Sequence, residues 1–170
     1  MKRVIKIRMD GIEEKVTLRH VKKSDIDGVW KNFNEVVDEG NFLPVFFPVK
    51  SIYEKKAWYE GLQKENEICV VAISKKQESP DHVLGQCEIS NIEWDASNHV
   101  GRLGIIVKKG FRDLGIGRHL IEFALTESKR INKKEKIILS CFDTNERALH
   151  LYESLGFETV GVRKRQFKMD

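Results

Sequence analysis

Proline and cysteine are scarce in this chain, three of each in 170 residues. So few prolines support no proline-rich linker, and no low-complexity stretch or internal repeat divides the sequence. The odd number of cysteines argues against a disulfide framework. The spacings between Cys69, Cys87 and Cys141, 18 and 54 residues, match no zinc pattern. Each lies in an apolar, strand-like run and reads as a buried core thiol, so no metal site is expected. No stretch approaches the ~20 apolar residues that span a bilayer, and the longest is broken at Pro44 and Pro48. The start, Met1-Lys2-Arg3-Val4, lacks the apolar core of a secretory signal. No sign of charge dominates either: 30 Lys+Arg face 26 Asp+Glu, a net +4. The densest basic cluster, Arg163-Lys164-Arg165 with Lys168, reads as a solvated strand face, and no nucleic-acid-binding motif accompanies it. These absences lead us to expect a cytoplasmic protein with neither nucleic acid nor membrane as partner.

What is present is a core. With 41% apolar and 33% charged residues, the chain is the size of one domain, residues 1–170. Lys15 to His20 alternates as a strand. Ser24 offers a helix cap, followed by Ile26, Trp30, Phe33 and Val37 at helical spacing up to Gly40. Residues 41–50 carry Phe42, Leu43, Phe46 and Phe47 between two prolines and read as a loop with apolar contents. Ser51-x-x-Glu54 is a capping box that starts a second helix, to about Gly61. Strands are expected at Ile68 to Ser74, Val83 to Trp94 and Val100 to Val107. A helix striped by Ile116, Leu120, Phe123 and Ala124 follows, then a strand from Lys136 to Phe142. A helix from Asn145 to Leu155, closed by Gly156, leads to a last strand, Phe157 to Lys168. The predicted order is β-α-α-β-β-β-α-β-α-β, a mixed α/β domain.

The stretch richest in chemistry runs from Ile105 to Arg118. A strand ends, a basic turn follows, and Gly115 and Gly117 open a helix. Exposed N–H groups at a helix start, with the positive end of the helix dipole, make a cradle for an anion. Glycines allow close backbone approach, and Lys108, Lys109, Arg112 and Arg118 add charge nearby. The cradle is neither of two common ones. A dinucleotide fingerprint needs Gly or Ala where Leu120 stands, and a P-loop needs Gly-Lys-Ser/Thr.

Arg112-x-x-Gly115-x-Gly117 resembles the Q/R-x-x-G-x-G/A pyrophosphate loop of the GCN5-related N-acetyltransferases (GNAT). Asn145-x-x-Ala148-x-x-x-Tyr152-x-x-x-Gly156-Phe157, about 30 residues downstream, is similar to the element that completes the cofactor site of that superfamily. The resemblance implies the acyl-CoA N-acyltransferase fold: a mixed central sheet with a splayed strand pair, flanked by helices. Acetyl-CoA would be the co-substrate, lying in the splay. Backbone groups around Ile105, Ile106 and Val107 would pair with its pantetheine arm, and amides of Arg112, Asp113, Leu114, Gly115, Ile116, Gly117 and Arg118 would hold its pyrophosphate. Asn145 would hydrogen-bond the pantetheine, and Tyr152 would protonate the departing thiolate. Asp113 departs from the family pattern, in which a small residue is common, and sets an acid beside the phosphates.

The implied reaction is direct attack of a primary amine on the thioester in a ternary complex; the amine belongs to a protein N-terminus, a polyamine or a small molecule. Glu88 is the first candidate for the general base, with Glu93 and His99 as alternatives. The aromatic loop from Phe42 to Pro48, flanked by Glu35, Asp38 and Glu39, is the expected acceptor wall. Two other functions fit the same motifs: an acyl-CoA-binding sensor without catalysis, and a protein binding another nucleotide in the glycine cradle. A homodimer through the terminal strands is compatible with this organisation.

Overall fold

The apolar run Ile68–Ser74 lies at the centre of the molecule because both of its faces are covered. Ile68, Val70 and Ala72 join one core cluster, and Cys69 and Val71 join another on the opposite side. A computed structural model of the chain describes residues 1–169. Its elements in chain order are β1 (Lys2–Met9), β2 (Ile12–His20), α1 (Ile26–Glu39), α2 (Ile52–Lys64), β3 (Ile68–Ser74), β4 (Val83–Asn91), β5 (Val100–Val107), α3 (Ile116–Asn132), β6 (Lys136–Ile138) and α4 (Glu146–Ser154). The strands form one sheet in sequence order, antiparallel from β1 to β5 and parallel between β5 and β6. Leu120, Ile121, Phe123 and Ala124 of α3 cover one face, with Leu151, Tyr152 and Leu155 packed beside them. Val29 and Leu62, with Trp58 and Tyr59, cover the other. The mixed α/β architecture expected from the sequence is the one observed.

Three differences bear on the site. The strand β1 was not anticipated. It pairs with β2 across Asp10 and Gly11, both at positive φ (50° and 78°), the two-residue turn that suits the twist of a hairpin. The strand β6 stops at Ile138 instead of reaching Phe142. The predicted last strand is absent: Phe157 to Lys168 joins no ladder, and Val160 is 99% exposed. A strand needs a partner edge, and the three residues of β6 offer almost none. Smaller shifts are that β4 ends at Asn91 rather than Trp94 and that α2 continues to Lys64. Ser24 lies in a short 3₁₀ turn, with Asp25 at the cap position of α1. Cys69 and Cys87 are core thiols as expected, whereas Cys141 is only half-buried.

Helix α1 is fixed to the sheet by polar contacts inside an apolar layer. Asn32 donates to the Val83 carbonyl (2.8 Å) and to Gln86 Oε1 (3.1 Å), and Gln86 Nε2 donates to the Val29 carbonyl (2.9 Å). All these groups are buried, so each bond satisfies an atom that water cannot reach.

Candidate active site

Strands β5 and β6 pair only from Val100 to Arg102 on the β5 side. Beyond that point β5 continues to Val107 against β4 alone, and the sheet is split. The direction of the backbone groups along the split follows from pairing. The Lys108 amide donates to the Leu84 carbonyl (2.9 Å), and hydrogen-bonded pairs alternate along an antiparallel ladder. Gly104 and Ile106 therefore direct their peptide groups at β4, whereas Leu103, Ile105 and Val107 direct theirs toward the split. The amide and carbonyl of Ile105 and the amide of Val107 are left without a strand partner, ready for an extended ligand with amides of its own. Ile106, grouped with them in the sequence reading, has its backbone committed to Gln86.

The glycine loop closes the wide end of the split. Gly115 takes a left-handed φ of 83° at the cap of α3, a conformation that L side chains rarely adopt. Ile116 is 1% exposed and Leu114 packs against the same core, so the turn is anchored from below. Gly117 faces Leu151, Val107 and Ile105, and an added Cβ there would meet only ordinary contacts, the nearest at 3.4 Å. Asp113 has φ of 62°, is exposed, and pairs with Arg147 at 3.1 Å, so its carboxylate turns outward to α4.

The basic side chains around this loop are less available than their sequence positions suggest. Lys108 bonds Asp81. Arg118 donates to Ser154 Oγ at 2.5 Å and lies near Glu122. Arg112 forms a two-pronged ion pair with Glu39, at 2.8 and 2.5 Å, and its Nε donates to the Val107 carbonyl at 3.1 Å. Lys109 is exposed and makes no ion pair or hydrogen bond among the described residues, so the anion cradle is backbone with one available basic side chain.

Across the split, Asn145 caps α4 by accepting from the Ala148 amide (3.2 Å), which leaves its NH₂ donors for a ligand. Tyr152 is half-buried, packs edge-on against Phe157 at 6.0 Å, and its hydroxyl makes no hydrogen bond within the described residues. Burial, with the neighbouring Cys141 and Cys87 thiols, pushes its phenol far above the usual range, so it stays protonated.

Glu88 pairs in register with Gly104, two residues into the unpaired part of β5. The space a side chain would fill at Gly104 is open. Burial pushes the Glu88 carboxyl up, the charge of Glu67 adds to this, and a hydrogen bond from Trp58 Nε1 (3.0 Å) opposes it. Trp58 stands edge-on to Trp30 at 5.7 Å, and Trp30 to Phe33 at 5.2 Å. This aromatic wall borders Glu88 on the helix side of the sheet. Glu93 and His99 are exposed and flank the end where β5 and β6 are still paired, away from the split. Sequence reasoning did not single out Trp58, Gly104 or the Glu39–Arg112 pairing. Each depends on a partner at least 16 residues away, and no local pattern marks it.

The sheet split beside a backbone anion cradle is the open-sheet arrangement expected of the acyl-CoA N-acyltransferase fold. Residues 36–157 match the profile of the Acetyltransferase (GNAT) family, and the chain belongs to that family. It is an acetyl-CoA-dependent acyltransferase, with acetyl-CoA as co-substrate. It is similar to an N-alpha-acetyltransferase of Sulfurisphaera tokodaii, 25% identical over 160 residues, covering 88% of this chain and 84% of that one. The fold is that of a GNAT-family acetyltransferase from Streptococcus pneumoniae (TM-score 0.78, 20% identity, 91% of each chain). It is also that of a GNAT-superfamily phosphinothricin acetyltransferase from Sinorhizobium meliloti solved with acetyl-CoA (TM-score 0.75, 19% identity, covering 89% and 83%).

Proposed function

We propose that the chain transfers the acetyl group of acetyl-CoA to a primary amine by direct attack in a ternary complex. The observation that carries this reading is the position of Glu88, a half-buried carboxylate opposite the side-chain-free Gly104 where the sheet opens. An amine near Gly104 would have its proton acceptor on the adjacent strand and the thioester in the split.

The unpaired groups of Ile105 and Val107 fit the amides of a pantetheine arm. The amides from Arg112 to Arg118 fit a pyrophosphate, with the bend at Gly115 aiming the start of α3 at it. Acetyl-CoA supplies the activated carbonyl. A backbone N–H on the open edge of β5, near Gly104, would stabilise the negative charge that develops on the carbonyl oxygen, an effect worth about 3–4 kcal/mol at comparable sites. An alkylammonium with pKa near 10 must lose a proton before it attacks. A carboxyl raised by burial, as in Glu88, is better matched to take it than an exposed one. The Tyr152 proton would go to the departing thiolate, for which a phenol with no hydrogen-bond partner among the described residues is free.

The acceptor is a primary amine of a protein N-terminus, a polyamine or a small molecule. A screen of such amines, following release of the free CoA thiol, tests this. Turnover with at least one amine, lost in Glu88→Gln and Tyr152→Phe, is the expected result. Acetyl-CoA binding without turnover on any amine would point instead to an acyl-CoA sensor.

A further inference from the structure

Arg112 is the arginine of the glycine-loop motif, yet its guanidinium is occupied elsewhere. Both terminal nitrogens donate to the Glu39 carboxylate, and Nε donates to the last carbonyl of β5, Val107. Its carbon lies 5.1 Å from the centre of the Phe42 ring, a stacked cation–π contact. Arg112 and Glu39 are 19% and 17% exposed, so the pair is partly shielded from screening.

The position of Glu39 is itself informative. It is the last residue of α1, where the helix dipole disfavours a negative charge, and no basic residue stands in that turn to offset it. The hydrogen bonds from Arg112 hold its carboxyl below the usual range, with the charges of Lys109 and Arg147 adding to this. Glu39 is followed by the left-handed Gly40 and then by the aromatic loop of residues 41–50. The far end of that loop is tied as well: Asn34 donates to the Val49 carbonyl and accepts from the Val49 amide, both at 2.8 Å. Between the two ties, Phe46 and Phe47 remain 61% and 81% exposed, so the loop is not core filling.

We propose that Arg112 is a positioning residue: through Glu39 and Phe42 it locks the loop of residues 41–50 against the end of β5, where the loop forms a wall of the acceptor site. The motif arginine then serves the amine side of the reaction, while the cradle for acetyl-CoA is made by backbone amides. This rests on the acetyltransferase reading above.

Two variants, Glu39→Gln and Arg112→Lys, test it, each measured in three ways on the full chain. In the ligand-free state, hydrogen exchange should quicken in residues 41–50 of both variants while β3 stays protected, which also reports that the variants are folded. The KM for an accepted amine should rise roughly tenfold, the order expected when a charge-assisted fork is lost. In Glu39→Gln the kcat, and the acetyl-CoA Kd from calorimetry, should stay within about twofold, since uniform binding was removed and not transition-state stabilisation. Unchanged exchange in residues 41–50 would overturn the proposal. So would weaker acetyl-CoA binding in Arg112→Lys with an unaltered amine KM, which would make Arg112 a phosphate ligand. Tighter acetyl-CoA binding in Glu39→Gln would overturn it too, by making Glu39 a competitor for the phosphate. The exchange measurement needs no turnover, so failure to acetylate any amine would count against the function above without deciding the lock.

Discussion

At the scale of the residue, Glu88 shows how a neighbour can set a base. Its carboxyl is raised by burial and by Glu67, and the Trp58 N–H stabilises the charged form and so opposes the rise. Trp58→Phe deletes that donor and leaves the ring, so the carboxyl should rise further. A base works only above its pKa, so the acid limb of kcat/KM should move to higher pH. A pH–rate profile of both proteins checks this; an unmoved limb would assign it to another group. For Tyr152→Phe the expectation is a kcat loss of about 10² or more, as for other general acids, with the calorimetric Kd for acetyl-CoA unchanged. Asn145 and Tyr152 were legible because capping and helical spacing are local. Trp58 was not, because its partner lies 30 residues on, and only the packing of α2 on the sheet joins them.

At the scale of the element, close approach explains which glycines the fold requires. Where α1 crosses the turn into β4, a Cβ on Gly28 would lie 2.6 Å from Val83 Cγ2 and 2.7 Å from the Pro80 carbonyl oxygen. Gly28→Ala should destabilise by about 1–3 kcal/mol through overpacking, read as a lowered denaturation midpoint. The two loop glycines should behave differently from each other. Gly115→Ala places a side chain at left-handed φ and should cost about 1–2 kcal/mol. At Gly117→Ala the added methyl finds ordinary contacts in a helix, so the midpoint should hold or rise slightly. If that glycine serves close approach of a phosphate, acetyl-CoA binding should weaken in both. Element type was readable wherever apolar periodicity was strong, as in α3 and β3. The hairpin of β1 and β2 had its local signal in Asp10-Gly11, which was overlooked. The final strand had the opposite fault: Val160 and Val162 alternate well, but strand propensity has no effect without an edge to pair with.

At the scale of the whole molecule, one buried acid ties the amino terminus and β2 to α3. Glu127 of α3 is fully buried and accepts a fork from Arg130, at 3.0 and 2.9 Å, and a contact from His20 Nε2 at 2.5 Å; the Met1 amino group lies 4.0 Å away. The Arg130 hydrogen bonds, with those of His20, lower its carboxyl from 4.5 to about 2. A group depressed in the folded state contributes stability above its unfolded pKa and loses it as pH falls through the folded value. Melting temperature should therefore drop from about pH 5 downward, and the drop should be shallower in Glu127→Gln, which has no proton to take up there. Thermal melts across that range check the slope. No helix among the described residues is long and apolar enough to cross a membrane.

The sequence by itself determined the elements with strong periodicity, the family carried by two motifs, and the glycine turn, because caps, turns and stripes are set by neighbours within a few residues. Only the tertiary structure decided where the sheet splits, which backbone groups of β5 face the split, and that Glu88, rather than Glu93 or His99, stands beside it. It also decided that Lys108, Arg112 and Arg118 are bound to Asp81, Glu39 and Ser154. Strand register and ion-pair choice are contests among distant partners, and their outcome depends on packing that no local window contains.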